Sequence, residues 1–161
     1  RIDEVAFDPV GAPLVPAAPA RRQRVALRVA GIAALAPLAQ DIVIAGHGTD
    51  EVHFLIVPNI AACRGIAGLT ETAAISEVLA HPSVRAAIAQ GLARLRKEAV
   101  GSSRYAARAL LMAESPLLDG GEITDKGYIN QRAVLTRRAN LVARLQDDTA
   151  TDLIRPSTSD L

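Results

Sequence analysis

The sequence predicts a small α+β domain built on a three-stranded sheet with covering helices. Two compact β-branched runs, "DIVIAG" at 41–46 and "VHFLIVP" at 52–58, are joined by a short glycine-rich turn and read as an antiparallel hairpin. Residues 83–99 carry Val84, Ile88, Leu92, Leu95 and Ala99 at three- and four-residue spacing, one apolar face of a helix. The predicted order is strand, strand, helix, helix, strand, loop, helix, which suits helices packed on a small sheet.

Each element has its own local reason. Residues 1–24 hold Pro9, Pro13, Pro16 and Pro19 among alanines, followed by "ARRQR", and predict an irregular arm or hinge remnant. The domain proper runs over 25–146. Residues 25–40 predict a short helix ending near Pro37. "IAACRGIAGL" reads as a loop, and 70–80 as a helix with Thr70 as its N-cap. Ser83 is the expected N-cap of the next helix. Residues 105–115 predict the third strand, with Leu110 and Met112 on one face and Ala109 and Leu111 on the other; helix competes there because Ala and Leu favour it. A loop at 116–129 leads to a last helix over 130–145, capped by Asn130. The polar tail 147–161 predicts disorder.

Composition narrows the function classes. The 161 residues are half apolar but only 2% aromatic, so Ala, Val, Leu and Ile must build the core. Eighteen basic and 17 acidic residues leave a net charge of +1, which gives no reason to expect nucleic acid. A single cysteine, Cys63, excludes an internal disulfide and suits a reducing, cytoplasmic compartment. No apolar run approaches the length of a membrane span, and no basic segment with an apolar core marks a signal peptide. The chain starts with Arg, not Met, which suggests a fragment or a processed product.

Most polar constellations lack a site pattern. His47 and His53 flank Asp50 and Glu51, but their spacing fits neither a helical pair nor a zinc finger, so no metal site is expected. Asp119, Glu122 and Asp125 lack a calcium-loop register and read as a solvated loop. "GHGTDE" lacks the glycine and lysine spacing of a phosphate loop. Ser102 and Ser103 lack a nucleophile elbow.

"GGEITDKGYINQR" is different. Lys126 is one of two lysines in a chain that otherwise uses arginine. On a glycine-flanked loop its ammonium is a mobile point charge able to meet carboxylate or phosphate oxygens. An idle, solvated surface lysine is the competing reading.

The residues "AESPLLDGGEITDKGYINQRAVLTRRANLVARL" closely resemble the C-terminal end of feruloyl-CoA synthetases, within the acyl-adenylate-forming superfamily. "LAPLAQDIVIAGHGTDEVHFLIVP" is similar to the first hairpin of that C-terminal domain. The resemblance spans roughly residues 26 to 145. It implies a lid domain that closes over a larger N-terminal adenylation domain, which binds ATP and a small aromatic carboxylic acid. It implies Lys126 as the catalytic lysine of adenylation, with Gly121, Asp125 and Gly127 supporting its loop. It also implies Gly11 on the coenzyme A side and Asp3 or Glu4 at the hinge, although the lysine that follows the acidic pair in the family's hinge motif is absent. The complete enzyme would use ATP, CoA and Mg2+, whereas these residues alone are expected to bind none of them and to be incomplete without the adenylation domain. No nucleic-acid or membrane partner is expected. The alternative is a non-catalytic α+β module that binds a protein partner.

Overall fold

A computed structural model describes residues 17–47, 49–99 and 104–158. Its elements are α1 (Ala17–Leu35), β1 (Ala39–Ala45), β2 (Val52–Pro58), α2 (Ile60–Ala67), α3 (Ile75–Ala80), α4 (Pro82–Glu98), β3 (Ala106–Leu111), α5 (Gln131–Arg137) and α6 (Ala139–Leu145). The domain is α+β, with a three-stranded sheet in the order β1-β2-β3.

The predicted hairpin forms. β1 and β2 pair antiparallel, with Ile42 opposite Ile56, Val43 opposite Leu55 and Ile44 opposite Phe54. β3 adds parallel to β2, with Leu110 opposite Leu55, so the sheet is mixed. All seven residues of β2 are buried. A central strand covered on both faces needs such an unbroken apolar run.

The strand period of two divides the core. Ile42, Ile44, Phe54, Ile56 and Ala109 face one way, against Leu35, Val84, Ile88 and Leu92 of α1 and α4. Val43, Leu55, Leu110 and Met112 face the other way, against Val134 of α5 and Leu145 of α6. The two faces expected for the third strand are therefore the ones found.

Several boundaries differ from expectation. α1 begins at Ala17, inside the segment expected to be irregular up to residue 24. Pro19 falls in its first turn, where backbone N–H groups have no intrahelical partner and a missing one costs nothing. Residues 60–67 are helical, not a loop: the Asn59 side chain accepts a hydrogen bond from the Ala62 amide, and Gly68 closes the helix with φ +67°. α3 starts only at Ile75; Thr70 does not cap it, its hydroxyl sharing a 2.8 Å hydrogen bond with that of Thr72. α4 is capped by His81, whose Nδ1 accepts from the Ser83 amide at 3.2 Å, with Pro82 in the first turn. Ser83 is thus the residue being capped.

The last helix is two, broken at Arg138, while Asn130 caps α5 as expected. The tail expected to be disordered contributes to the core. Leu153 and Ile154 are buried, and Ile154 exchanges two backbone hydrogen bonds with Ala109, 2.8 and 2.9 Å long. Among the described residues no helix is long and apolar enough to cross a membrane.

Helices α1 and α4 pack closely at Gly91. A Cβ there would lie 2.7 Å from the Ala34 carbonyl oxygen and 2.6 Å from Leu35 Cδ2. Gly91→Ala should therefore destabilise the fold by about 1–3 kcal/mol. Gly65, with open space around it on α2, gives the opposite sign: Gly65→Ala should add about 0.5–1 kcal/mol. Urea midpoints of the two variants check both signs.

Candidate functional site

The loop singled out by sequence folds as a small hairpin. Ile123 and Ile129 form an antiparallel bridge. Between them the Gly127 amide donates to the Thr124 carbonyl at 2.8 Å, and the Thr124 amide donates to the Tyr128 carbonyl at 2.7 Å. The Thr124 hydroxyl accepts from the Tyr128 amide at 3.2 Å. Gly127 has φ +82°, the left-handed position that ends a three-residue hairpin loop and that a side chain would strain. Gly121, at φ +74°, turns the chain into the hairpin. Both glycines thus take the left-handed conformation that shapes the turns.

Lys126 stands at the tip, exposed, next to exposed Asp125. Among the described residues neither side chain makes a hydrogen bond or an ion pair. Asp3, Glu4 and Gly11 lie outside the described residues, so the hinge and coenzyme A positions stand as sequence readings.

The base of the hairpin is fastened by a residue that the sequence presents as solvated. Glu122 is 1% exposed. Its Oε2 accepts from Arg138 Nε at 2.8 Å and its Oε1 from Arg138 Nη2 at 3.2 Å. The Leu117 amide donates to Oε1 at 3.1 Å, and Arg137 Nε lies 3.7 Å from the same oxygen. The Glu122 carbonyl in turn accepts from the Asn130 amide at 2.8 Å. One buried carboxylate thus joins the loop before the hairpin, the hairpin itself and the α5–α6 break. Arg138 adds a bond to the Ser115 carbonyl at 3.0 Å. The Arg138 guanidinium, ahead of the Leu117 amide, holds the Glu122 carboxyl below its ordinary range. No signal in the sequence separates Glu122 from its exposed acidic neighbours; only the placement of Arg138, sixteen residues on, does so.

A second fastening follows at once. Gln131 Nε2 donates to the Ile42 carbonyl, and Gln131 Oε1 accepts from the Ile44 amide, each at 2.9 Å. The side-chain amide continues the sheet past the outer edge of β1. Sequence reasoning missed Gln131, since nothing in its neighbours marks a partner 89 residues away.

Of the remaining candidates, Ser102 and Ser103 lie outside the described residues, and His47, His53 and Cys63 have structural surroundings of their own. His53 is buried, its Nε2 lies 3.3 Å from Glu51 Oε2, and burial lowers its pKa. Arg108 Nε lies 3.2 Å from that same Glu51 oxygen. Arg24 Nη1 lies 2.8 Å from His47 Nε2. Cys63 is buried, and burial pushes its thiol pKa up, which suits packing better than nucleophilic chemistry. Among the described residues no group of three His, Cys, Asp or Glu could hold a metal ion.

Chemically, the arrangement presents one primary ammonium on a short hairpin whose two ends are pinned and whose tip side chains make no hydrogen bond or ion pair among the described residues. Comparison with protein-family models, curated proteins and solved structures finds no match.

Glu122→Ala leaves Arg138 without its buried partner and should cost about 3 kcal/mol. The pH dependence has a definite sign. The folded pKa is depressed, so the pair's contribution is whole above the unfolded value, about 4.3, and is lost as pH falls through the lower folded value. The stability lead of the parent over Glu122→Gln should therefore shrink on acidification, as followed by urea unfolding at stepped pH.

Proposed function

We propose that these residues are the C-terminal lid of an ATP-dependent acyl-CoA ligase of the feruloyl-CoA synthetase type, acting in the cytoplasm. The observation that carries the reading is Lys126: exposed, unpaired, and held at the tip of a hairpin anchored by buried Glu122. The α+β architecture and the resemblance of 113–145 to such lids support it.

In this reading an adenylation domain supplies the ATP site and the acyl pocket, and magnesium enters there with ATP. A hydroxycinnamate carboxylate oxygen attacks the α-phosphorus, the bond to the bridging oxygen breaks, and pyrophosphate leaves. Two anions approach and charge builds on the phosphoryl oxygens. An ammonium placed between them offsets the repulsion and stabilises that charge. The pinned base of the hairpin limits the positions Lys126 must search before reacting. In the second half-reaction the CoA thiolate attacks the acyl carbon and AMP leaves. Lys126 has no part in that step, and a lid that swings away removes it.

A second reading, a non-catalytic module that docks on a protein, draws on exposed apolar residues near the lysine. Leu117, Leu118 and Tyr128 are 53%, 61% and 65% exposed. Under the ligase reading they are a seat for the adenylation domain.

The two readings separate on Lys126. In a polypeptide joining these residues to an adenylation domain, Lys126→Ala should slow adenylation by about a hundredfold or more. Thioester formation from preformed acyl-adenylate should stay near the parent rate. Pyrophosphate release and single-turnover thioester assays measure the two steps. Adenylation at the parent rate would remove the ligase reading and leave the docking module.

A further inference from the structure

We propose that His53 is an acid-sensitive latch: on taking up a proton it loosens the segment that follows α6 from the edge of the sheet. The device does not involve Lys126 and goes beyond the lid reading.

His53 belongs to β2 and is 3% exposed. The period of two puts it on the face of the sheet that carries Leu55. Leu145 of α6 and Leu153 of the following segment pack on that same face. The ring Nε2 lies 3.3 Å from Glu51 Oε2. A carboxylate only accepts, so the neutral ring holds its proton on Nε2 and leaves a bare lone pair on Nδ1. Nδ1 is buried and has no hydrogen-bond partner among the described residues. A second proton has to go there. It creates a buried N–H with no acceptor, on a ring that then carries a full charge.

The surrounding charges sharpen that cost. Arg108 stands opposite His53 across the β2–β3 ladder. Its Nε lies 3.2 Å from the same Glu51 oxygen. Glu51 answers one cation while His53 is neutral and must answer two once it is charged. Across the other ladder is Ala45, which brings no charge. His47 and Asp50, before β2, are exposed. The charges beyond α6 are engaged elsewhere: Asp148 with Arg108 and, at 4.0 Å, Arg155; Asp152 with Arg144; and Asp147 with Thr149.

Arg108 is also the hook that holds the segment. Its Nη1 donates to the Leu145 carbonyl at 3.2 Å, and its Nη2 pairs with Asp148. One residue on, Ala109 exchanges two backbone hydrogen bonds with Ile154. The cation that a charged His53 repels is therefore the one that fastens the segment. Letting go admits water to the ring and bares the outer edge of β3. Arg85 of α4 grips the segment too, at the Asp152 and Leu153 carbonyls, but carbonyls do not titrate over this range, so the acid response belongs to His53.

Burial lowers the His53 pKa against the pull of Glu51, and Arg108 adds to the lowering. The closed arrangement is thus fully stable above the free histidine value, about 6.5. That stability is lost as pH falls from there toward the lower folded value.

Amide hydrogen exchange at about pH 7.5 and about pH 5.5, expressed as protection over the free peptide, tests the latch; ordinary carboxylates stay ionised over this range. In the parent, the Ile154 and Ala109 amides should be less protected than those of β2 at both values, and should lose up to about tenfold in protection at the lower one, the full linkage of one proton. His53→Gln should abolish that loss. His47→Gln, which removes an exposed histidine, should retain it. Equal urea midpoints at about pH 7.5 establish that the variants fold alike. NMR titration of the His53 ring in the parent needs no variant and should give a midpoint below the free value. Protection of Ile154 that is independent of pH, an unchanged loss in His53→Gln, Ile154 protection equal to that of β2, or a ring midpoint at or above the free value would each overturn the latch. None of these readings involves adenylation, so their failure is distinguishable from a failure of the role given to Lys126.

Discussion

A buried carboxylate with no partner would be expelled or neutralised; Glu122 stays because Arg138 meets both of its oxygens. That pairing is the constraint on which the candidate site depends. It gathers the chain at Leu117, at Glu122 and at the α5–α6 break into one knot. The two strands of the hairpin then leave the knot together, and four residues later the chain reaches Lys126. A loop fastened only by its own turn could present a lysine anywhere over a wide arc. One fastened at its root presents it within a short radius of the sheet.

The sheet supplies the frame. With three strands it has two open edges, each a row of unpaired backbone groups. The outer edge of β1 is taken by the Gln131 side chain, and that of β3 by Ile154 from the tail. The first closure also seats α5, so the residue that finishes the sheet places the hairpin beside it. The functional loop is therefore tied twice, by an ion pair beneath it and by a side-chain amide beyond it.

What the sequence made legible was whatever depends on near neighbours. The β1–β2 hairpin, the third strand with its two faces, the apolar stripe of α4 and the Asn130 cap all follow from period or from a single polar residue at the right place. Some errors were also local. Asn59 and Gly68 bracket α2 with the ordinary start and stop residues, and Pro19 is harmless in a first turn; both signals were present but outweighed by the density of small residues and prolines. The apolar pair Leu153–Ile154 was hidden by its polar flanks. The remaining features depend on distance along the chain. Glu122 is separated from Arg138, and Gln131 from Ile44, by stretches that no local pattern bridges. The lysine itself stood out by composition and resemblance; the means of holding it did not.

The most direct measurement of this account is amide hydrogen exchange in the parent and in Arg138→Ala. Removing Arg138 should release the amides of Glu122, Thr124 and Asn130 to faster exchange, while those of β2 keep their protection, because the knot and the sheet are separate fastenings. If the hairpin amides exchanged at the parent rate in that variant, Glu122 and Arg138 would not be what holds the loop, and the account of how Lys126 is presented would fail.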